Sequence, residues 1–317
     1  MKFKYSICII NKNSLNTIES SLNSVMSQLG QEYQLVIVDE STDGSQDRIL
    51  ELQKKWKDRI KVIFLEKKDQ RGIGYARNVS IIEAEGKYCV MHIDCDDIWQ
   101  PHINDFVQVF LEIEKFIGPN FLLAGHQINV ARREFLLSIG PYRSVEHGED
   151  RDLWMRLAKR NQYIPIDHVA FFSRLSLPLS LRIIKTLKRT TWGVRDEIRL
   201  GGSLKLYIKD LFSKEASLDL KIRMLRLAVY PYSLLTSFGL EKLDNQEHFS
   251  STEQWNSYKN DNFGLYSEIA EQRGFSSSLD FISDPFAKLI FQHRRKELEY
   301  QQLQEIYYGL GSGKGNS

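Results

Sequence analysis

Short apolar runs rich in β-branched residues alternate with longer amphipathic segments over the first 93 residues of this chain. The runs cover residues 5–10, 34–38, 61–65 and 88–93. Between them, residues 14–29 and 45–56 repeat apolar side chains at helical spacing, with Leu15, Ile18 and Leu22 on one face of the first segment. This alternation predicts an α/β fold with a mostly parallel central sheet and helices packed against it.

Acidic residues come after two of these runs. Asp39 and Glu40 stand directly after the second run, and Asp94, Asp96 and Asp97 stand directly after the fourth. Open α/β sheets bind ligands at the carboxyl ends of their strands, so both acidic clusters are expected to meet at one edge. If the segment is extended, Asp94 and Asp96 point to the same side, while Asp97 faces elsewhere or caps the next element. A hard divalent cation held by Asp94 and Asp96 is one interpretation, and a plain surface turn is the other.

Two further clusters carry candidate functional groups. Gly72 and Gly74 precede a predicted helix and are flanked by Arg71 and Arg77. Such glycines let backbone amides approach a phosphate, although a simple turn before a helix has the same pattern, and Arg77 can instead pair with a carboxylate of the acidic edge. Residues 148–157 are predicted to begin a further amphipathic helix, whose first turn carries acidic side chains. These acids either stabilise the helix start or supply a general base.

The chain changes character after residue 97. A helix is predicted over residues 101–117, strands near 121–123 and 127–130, and a helix from residue 149. From about residue 177 the helices are both apolar and basic. We therefore predict a catalytic domain over residues 1–176, a helical accessory region over 177–308 and a flexible tail over 309–317.

Composition narrows the class of protein. A formal net charge of +2 over 317 residues gives no whole-chain argument for binding nucleic acid. Cys8 and Cys89 lie in apolar runs and are expected to be buried free thiols, whereas Cys95 lies between two aspartates and is a candidate for exposure. The first apolar run is too short for a signal peptide, and the longest uncharged stretch is shorter than the ~20 residues of a membrane-spanning helix. We expect a cytoplasmic protein.

In this order, the clusters resemble those of the family-two glycosyltransferases, inverting enzymes with the nucleotide-sugar-binding GT-A fold. The resemblance covers roughly residues 5–175. The segments that carry it are residues 6–13, 38–45, 72–78, 94–97, 133–142 and 148–156.

The resemblance implies an enzyme that moves a sugar, such as a hexosyl group, from a nucleoside diphosphate to a hydroxyl acceptor during polysaccharide, glycolipid or glycoprotein biosynthesis of the cell envelope. It implies Asp150 as the general base with Glu149 beside it, and Mn²⁺ or Mg²⁺ held by Asp94 and Asp96. The donor-binding residues implied are Ile10, Asn11, Asp39, Glu40, Arg71, Gly72, Arg77, Asp94 and Cys95.

Two positions depart from the family pattern. Glu40 stands where relatives usually have a second aspartate. Leu175 follows Arg174 where many relatives carry a histidine, so a third protein ligand to the metal is not assigned. His168 lies nearby in the sequence, but a histidine at the start of a strand is more often structural.

The basic helices after residue 177 allow two interpretations. They suit contact with anionic lipid headgroups, with Trp192, Tyr230, Tyr232 and Phe238 at the interface, and they also suit a helical cap on the catalytic domain or on a second subunit. Membrane contact would place the protein at the inner face of the cell membrane and favour a lipid-linked acceptor, whose pyrophosphate could meet Lys188, Arg189 and Arg195.

Two other functions stay open on the sequence. A nucleotidyltransferase on a related sheet would make a sugar nucleotide instead of consuming one. A nucleotide-sugar-binding or membrane-scaffold protein would keep the pocket without turnover.

Overall fold

A computed structural model of the protein describes residues 2–69, 72–140, 142–143, 148–175, 179–199, 204–212, 220–240, 242 and 252–309. The strands are β1 (Tyr5–Asn11), β2 (Tyr33–Asp39), β3 (Ile60–Phe64), β4 (Tyr88–Met91), β5 (Asp97–Trp99), β6 (Leu122–Ala124), β7 (Asn129–Arg132), β8 (Tyr163–Pro165) and β9 (Phe172–Arg174). The helices are α1 (Ile18–Met26), α2 (Ser45–Trp56), α3 (Ile73–Ile82), α4 (Ile103–Ile117), α5 (Arg133–Ile139), α6 (Glu149–Lys159), α7 (Leu179–Arg199), α8 (Leu204–Phe212), α9 (Leu220–Ser237), α10 (Thr252–Asn262), α11 (Tyr266–Arg273), α12 (Pro285–Gln292) and α13 (Tyr300–Tyr308).

Seven strands form one sheet in the order β3-β2-β1-β4-β7-β6-β8. Strand β7 pairs antiparallel with both of its neighbours, and the other pairs in this sheet are parallel. The register places Asn11 beside Asp39, and Asp39 beside Phe64, at the carboxyl edge. The predicted fold class is confirmed, because a mostly parallel sheet is flanked by helices and followed by a mainly helical carboxyl-terminal region.

Helix α1 begins later than the apolar pattern predicted. It starts at Ile18, and the side chain of Leu15 is 44% exposed instead of packing on the sheet. The backbone N–H groups of residues 13–15 are used in another way: Asn13 donates to Ser41 Oγ, and Leu15 donates to Asp43 Oδ2 at 3.0 Å. These bonds tie the β1–α1 loop to the β2–α2 loop.

The carboxyl-terminal helices pack in two groups. Trp255 of α10 packs in the core with Tyr163, and Phe286 and Phe291 of α12 join the main core, so α10–α13 cover the sheet domain. Helices α7–α9 have a small core of their own, formed by Val194, Tyr207, Leu211 and Tyr230. The predicted boundary at residues 176 and 177 and the tail beyond residue 309 lie outside the described residues, and the division into domains stays a prediction.

No helix in the described part of the chain combines the length and the apolar run needed to cross a membrane.

Candidate active site

Asp39 ends β2 with its carboxylate buried and held from two sides. Its Oδ1 accepts hydrogen bonds from Asn11 Nδ2 at 2.6 Å and from Ser41 Oγ at 2.7 Å. The Asn11 amide also donates to Ser41 Oγ at 3.0 Å. Because β1 and β2 are in register here, the neighbouring strand fixes the orientation of this carboxylate before any ligand arrives.

Glu40 follows Asp39 and is also buried, at 8% exposure. Its Oε2 forms an ion pair of 3.0 Å with Lys12, whereas its Oε1 has no hydrogen-bond partner in the described part of the structure. A buried acceptor without a partner costs about 1–3 kcal/mol. Glu40 Oε1 is therefore suited to accept a hydrogen bond from a bound ligand.

The acidic cluster after β4 brings three carboxylates together. One oxygen each of Asp94, Asp96 and Asp97 lies within 4.8 Å of the others. The prediction that Asp97 faces away is wrong. The chain turns after Ile93 instead of staying extended, with Asp97 N bonded to Asp94 O at 3.4 Å. Three carboxylate oxygens at this separation fit a hard divalent cation such as Mg²⁺ or Mn²⁺.

Arg174 lies against this acidic cluster. Strands β5 and β9 pair antiparallel and place Arg174 opposite Asp97, where Nε and Nη2 donate to the two carboxylate oxygens at 3.0 and 3.2 Å. Its Nη2 is also 3.6 Å from Asp94 Oδ2. Burial raises the pKa of Asp94, and the negative charges of Asp96 and Asp97 add to the increase while Arg77 and Arg174 oppose it. Arg174 thus offsets part of the charge that the cluster concentrates.

His168 lies outside this group of ligands. Its ring is fully buried, its Nε2 accepts a hydrogen bond from the backbone N–H of His126 at 3.0 Å, and its Nδ1 lies 2.8 Å from Val169 O. Both ring nitrogens are therefore used in packing the fold, and the structural interpretation of His168 is confirmed.

Gly72 directly before α3 and Gly74 in its first turn both stand where a larger side chain would be unfavourable. Gly72 precedes the helix with φ of 93°, which is the left-handed region that favours glycine. A Cβ on Gly74 would lie 1.9 Å from Arg143 O, because the start of α3 presses on the backbone of that segment. Arg71 lies outside the described residues, and a contact between this loop and phosphate stays a prediction.

Arg77 of α3 is buried between two carboxylates. Its Nε donates to Glu149 Oε1 at 2.7 Å, and its Nη2 lies 4.0 Å from Asp94 Oδ1. Burial disfavours the charged guanidinium, but the charges of Glu149 and Asp94 outweigh that effect and raise the pKa of Arg77. Arg77 therefore has the second of its two predicted roles, pairing with acids, and it links α6 to the acidic cluster.

Asp150 lies at the first turn of α6, beside Glu149. It is half-buried, whereas Glu149 is 3% exposed and engaged with Arg77. Burial and the charge of Glu149 raise the pKa of Asp150 to about 6, while the N–H of Arg151 and the charge of Arg77 oppose the increase. A carboxylate with a pKa near neutrality can take a proton at physiological pH. Asp150 is thus the better placed of the two predicted catalytic acids for proton transfer.

Cys95 connects the two acidic clusters. The expectation of an exposed thiol is wrong: Cys95 is 5% exposed, and its Sγ lies 4.0 Å from Ile10 O at the end of β1. Burial raises the pKa of Cys95, and the negative charges of Asp94, Asp96 and Asp39 raise it further. Asp39 and the acidic cluster after β4 therefore face the same small region, as the strand-end argument predicted.

His92 and Tyr142 support the site and were not singled out from the sequence. His92 Nε2 lies 2.9 Å from Tyr142 OH, and burial lowers the pKa of His92 well below its usual range. The guanidinium of Arg77 lies over the Tyr142 ring, 5.9 Å from its centre, and Asn78 accepts the Tyr142 N–H at 2.9 Å. No sequence spacing signals these contacts, because they join residues 50 or more positions apart.

Residues 6–168, which are more than half of the chain, match the family model described as glycosyl transferase family 2. The chain belongs to that family, and the resemblance found in the sequence is confirmed. A glycosyltransferase of Nostoc sp. without an assigned function is 38% identical over 109 residues, which cover 34% of this chain and 33% of that protein. TuaG of Bacillus subtilis, a glycosyltransferase named for teichuronic acid biosynthesis, is 38% identical over 89 residues, or 28% of this chain and 34% of TuaG. The matches thus span about a third of the length of these curated relatives.

Among solved structures, residues 1–349 of S. aureus TarS align with 99% of this chain and 94% of that one, with a TM-score of 0.48 and 15% identity. A likeness of this size carries no argument about function.

Proposed function

We propose that this protein is a metal-dependent, inverting glycosyltransferase that moves a sugar from a nucleoside diphosphate to a hydroxyl acceptor. The observation that supports this most strongly is the position of Arg77, whose guanidinium contacts Glu149 beside Asp150 and also Asp94 of the acidic cluster. A candidate base and the candidate cation ligands thus lie on either side of one side chain. Direct displacement needs a proton acceptor and a leaving diphosphate on opposite faces of the same sugar.

The candidate donor-binding residues share the carboxyl edge of the sheet. Asp39, oriented by Asn11, and Glu40, through its unpartnered Oε1, would receive the nucleoside. Ile10 and Cys95 lie between these acids and the cluster after β4, and Gly72 begins the helix that carries Arg77. Family membership supports this assignment.

Asp94 and Asp96, with Asp97 beside them, would hold the Mn²⁺ or Mg²⁺ ion. When bound, such a cation offsets the negative charge that develops on the departing diphosphate. Arg174 contributes positive charge at the same place through Asp97 and Asp94. Its contact with two acids of the cluster means that it competes for the oxygens that a cation would use.

Asp150 is the proposed general base. With a pKa of about 6 it is mostly ionised at neutral pH and can take the proton of the acceptor hydroxyl as the new glycosidic bond forms. Glu149 and Arg77 are positioning residues, since both are buried and bonded to each other. Attack from the side opposite the diphosphate inverts the anomeric carbon.

We further propose an acceptor that belongs to cell-envelope polysaccharide or glycolipid assembly at the inner face of the membrane. The name of TuaG supports the polysaccharide, and the exposed basic residues Lys188 and Arg189 of α7 support a lipid-linked, anionic acceptor.

A thermal-shift panel of nucleoside diphosphates and their sugars, with and without Mn²⁺, tests donor and metal together, because a ligand that binds the folded state raises its melting temperature. We expect one base to stand out and its effect to depend on the cation. Transfer is then measured with the donor found, and release of a nucleoside diphosphate is the expected result. Release of pyrophosphate would identify a nucleotidyltransferase instead.

Asp150→Asn separates an enzyme from a binding protein. We expect this variant to keep the donor-induced thermal shift and to lose transfer, and unchanged transfer would remove Asp150 from its proposed role.

A further inference from the structure

Helix α9 leaves a continuous apolar stripe exposed. Met224, Ala228, Pro231 and Leu235 follow one another at spacings of four, three and four residues, so they share one helical face, and Phe238 lies in the turn directly after the helix ends at Ser237. Met224, Leu235 and Phe238 are 57%, 68% and 73% exposed. Tyr230, on another side of the same helix, is buried in the core of α7–α9. The apolar stripe therefore stays exposed although the helix packs against its neighbours.

Helix α8 repeats this arrangement. Leu204, Ile208 and Phe212 lie four residues apart and are each 42–49% exposed, while Tyr207 and Leu211, on the adjoining side of the helix, are buried in the core shared with α9. The end of α8 and the start of α9 are neighbours, because the guanidinium of Arg223 on α9 lies 6.0 Å from the centre of the Phe212 ring. We call the surface formed by Leu204, Ile208, Phe212, Met224, Leu235 and Phe238 the α8–α9 face.

The region that carries this face has a net positive charge. Residues 179–240 contain twelve lysines and arginines and five acidic residues, a net charge of +7, whereas the whole chain carries +2. Lys205 and Lys209 of α8 and Lys221 of α9 are exposed beside the stripes. An apolar helical face bordered by basic side chains is the pattern of helices that lie in a membrane interface.

We propose that the α8–α9 face docks this protein onto an anionic lipid bilayer, with the apolar stripes among the acyl chains and the lysines among the headgroups. A second copy of the chain is the other occupant that an apolar stripe suits. Association of two such faces would bring two regions of charge +7 together, which is repulsive, whereas anionic headgroups complement them.

This surface does not depend on the proposed sugar transfer, since lipid binding by α8 and α9 needs neither donor nor acceptor.

Flotation of the full-length protein with lipid vesicles tests the proposal. We expect binding to vesicles that contain roughly 30% phosphatidylglycerol, weak binding to phosphatidylcholine alone, and a loss of binding at high salt. Leu235→Glu/Phe238→Glu should reduce the bound fraction by about tenfold or more, since it places charge where apolar area is buried. Lys205→Gln/Lys221→Gln should remove the preference for phosphatidylglycerol.

Ile306→Glu on α13 is the matched control, because Ile306 is 65% exposed and lies outside the α8–α9 face. It should bind vesicles like the unchanged protein. Because the substituted side chains are exposed, all variants should keep the melting temperature of the unchanged protein. The proposal is overturned if the unchanged protein fails to float with anionic vesicles, or if Leu235→Glu/Phe238→Glu floats equally well. A dimer in light scattering that this double variant dissociates, without vesicle binding, would assign the face to a second copy.

Discussion

Arg77 Nε lies 2.7 Å from Glu149 Oε1, and both side chains are more than nine-tenths buried. The pair joins α3 to the start of α6, and the same guanidinium reaches Asp94 at 4.0 Å. Arg77 therefore links the charge state of Asp150, which lies next to Glu149, to the carboxylate of Asp94 in the acidic cluster. A substitution of Arg77 is therefore expected to alter the position of Asp150, even though Arg77 need not contact the substrate.

Arg77→Gln should destabilise the fold. Loss of one partner of a buried ion pair leaves the other charge uncompensated, which typically costs about 3–5 kcal/mol. Urea denaturation gives the free energy of unfolding directly. Arg77→Gln/Glu149→Gln should recover most of the loss, because it removes both charges. A single variant as stable as the unchanged protein would show that the pair does not stabilise the fold.

Transfer should depend on pH through Asp150. Its pKa of about 6 predicts that kcat/KM rises with pH and levels off above about 7, as the base becomes ionised. Because the charge of Arg77 lowers this pKa, Arg77→Lys should keep the midpoint near 6, whereas Arg77→Gln should shift it upward. A profile measured with saturating cation that shows no inflection near pH 6 in the unchanged protein would contradict the assignment.

Asp150→Asn should raise stability at neutral pH. A pKa raised from 3.8 to about 6 means that the fold disfavours the ionised form. Asp150 therefore reduces the free energy of unfolding progressively as the pH rises from about 4 to about 6, and the penalty is complete above that. Two pKa units correspond to on the order of 2–3 kcal/mol. Melting curves at pH 7 should show the variant above the unchanged protein, and the difference should vanish near pH 4.

Glu40→Gln should weaken binding of the nucleoside diphosphate. If Glu40 Oε1 accepts a hydrogen bond from the base, loss of the charged acceptor costs about 1.5–3 kcal/mol, or roughly 10- to 100-fold in Kd. Isothermal titration calorimetry measures this change. Lys12→Gln is the control, since the Lys12 side chain is 59% exposed and an ion pair made by so exposed a side chain contributes little. An unchanged Kd for Glu40→Gln would place the base elsewhere.

Cation binding should respond in opposite directions to two substitutions. Asp96→Asn removes a ligand and should lower the affinity for Mn²⁺ by about tenfold or more. Arg174→Gln removes a positive charge 3.6 Å from Asp94 and should raise that affinity. Calorimetric titration with Mn²⁺ in the absence of donor and acceptor measures this affinity directly, so neither result can arise from a change in turnover. Asp58→Asn, which alters an exposed acid in the loop after α2, should leave the affinity unchanged, and equal affinities in all variants would argue against the cluster as the cation site.

The alternation of apolar runs with amphipathic segments predicted the sheet, and the ends of the runs predicted where the acidic residues of the site lie. Strands β1 and β2 are long, β2 is buried throughout and β1 at every residue except Ile10, so their ends, and with them Asp39, could be located from apolar runs. The convergence of Asp39 with the acids after β4 follows from parallel pairing alone. Helix α2 was predicted with its observed bounds, because its apolar positions and its start after Asp43-Gly44 agree.

Contacts that depend on tertiary packing could not be predicted in this way. Strands β5 and β9 have three residues each, too few for a period, and the pairing that brings Arg174 to Asp97 spans 77 positions. The glycine-rich sequence around Gly74 likewise gives no indication that this residue lies close to Arg143 O. These contacts decide where Asp97 points and how α3 meets the segment before α6.

The buried thiol of Cys95 provides a reporter of opening at the site. Because thiolates react with alkylating reagents and Cys95 is both covered and raised in pKa, iodoacetamide should modify it only when the segment between Asp94 and Asp96 separates from β1. Cys8 and Cys89 lie within β1 and β4 and are 3% and 0% exposed. The alkylation rate at this one position can therefore be followed by mass spectrometry as ligands are added, without labels or engineered cysteines.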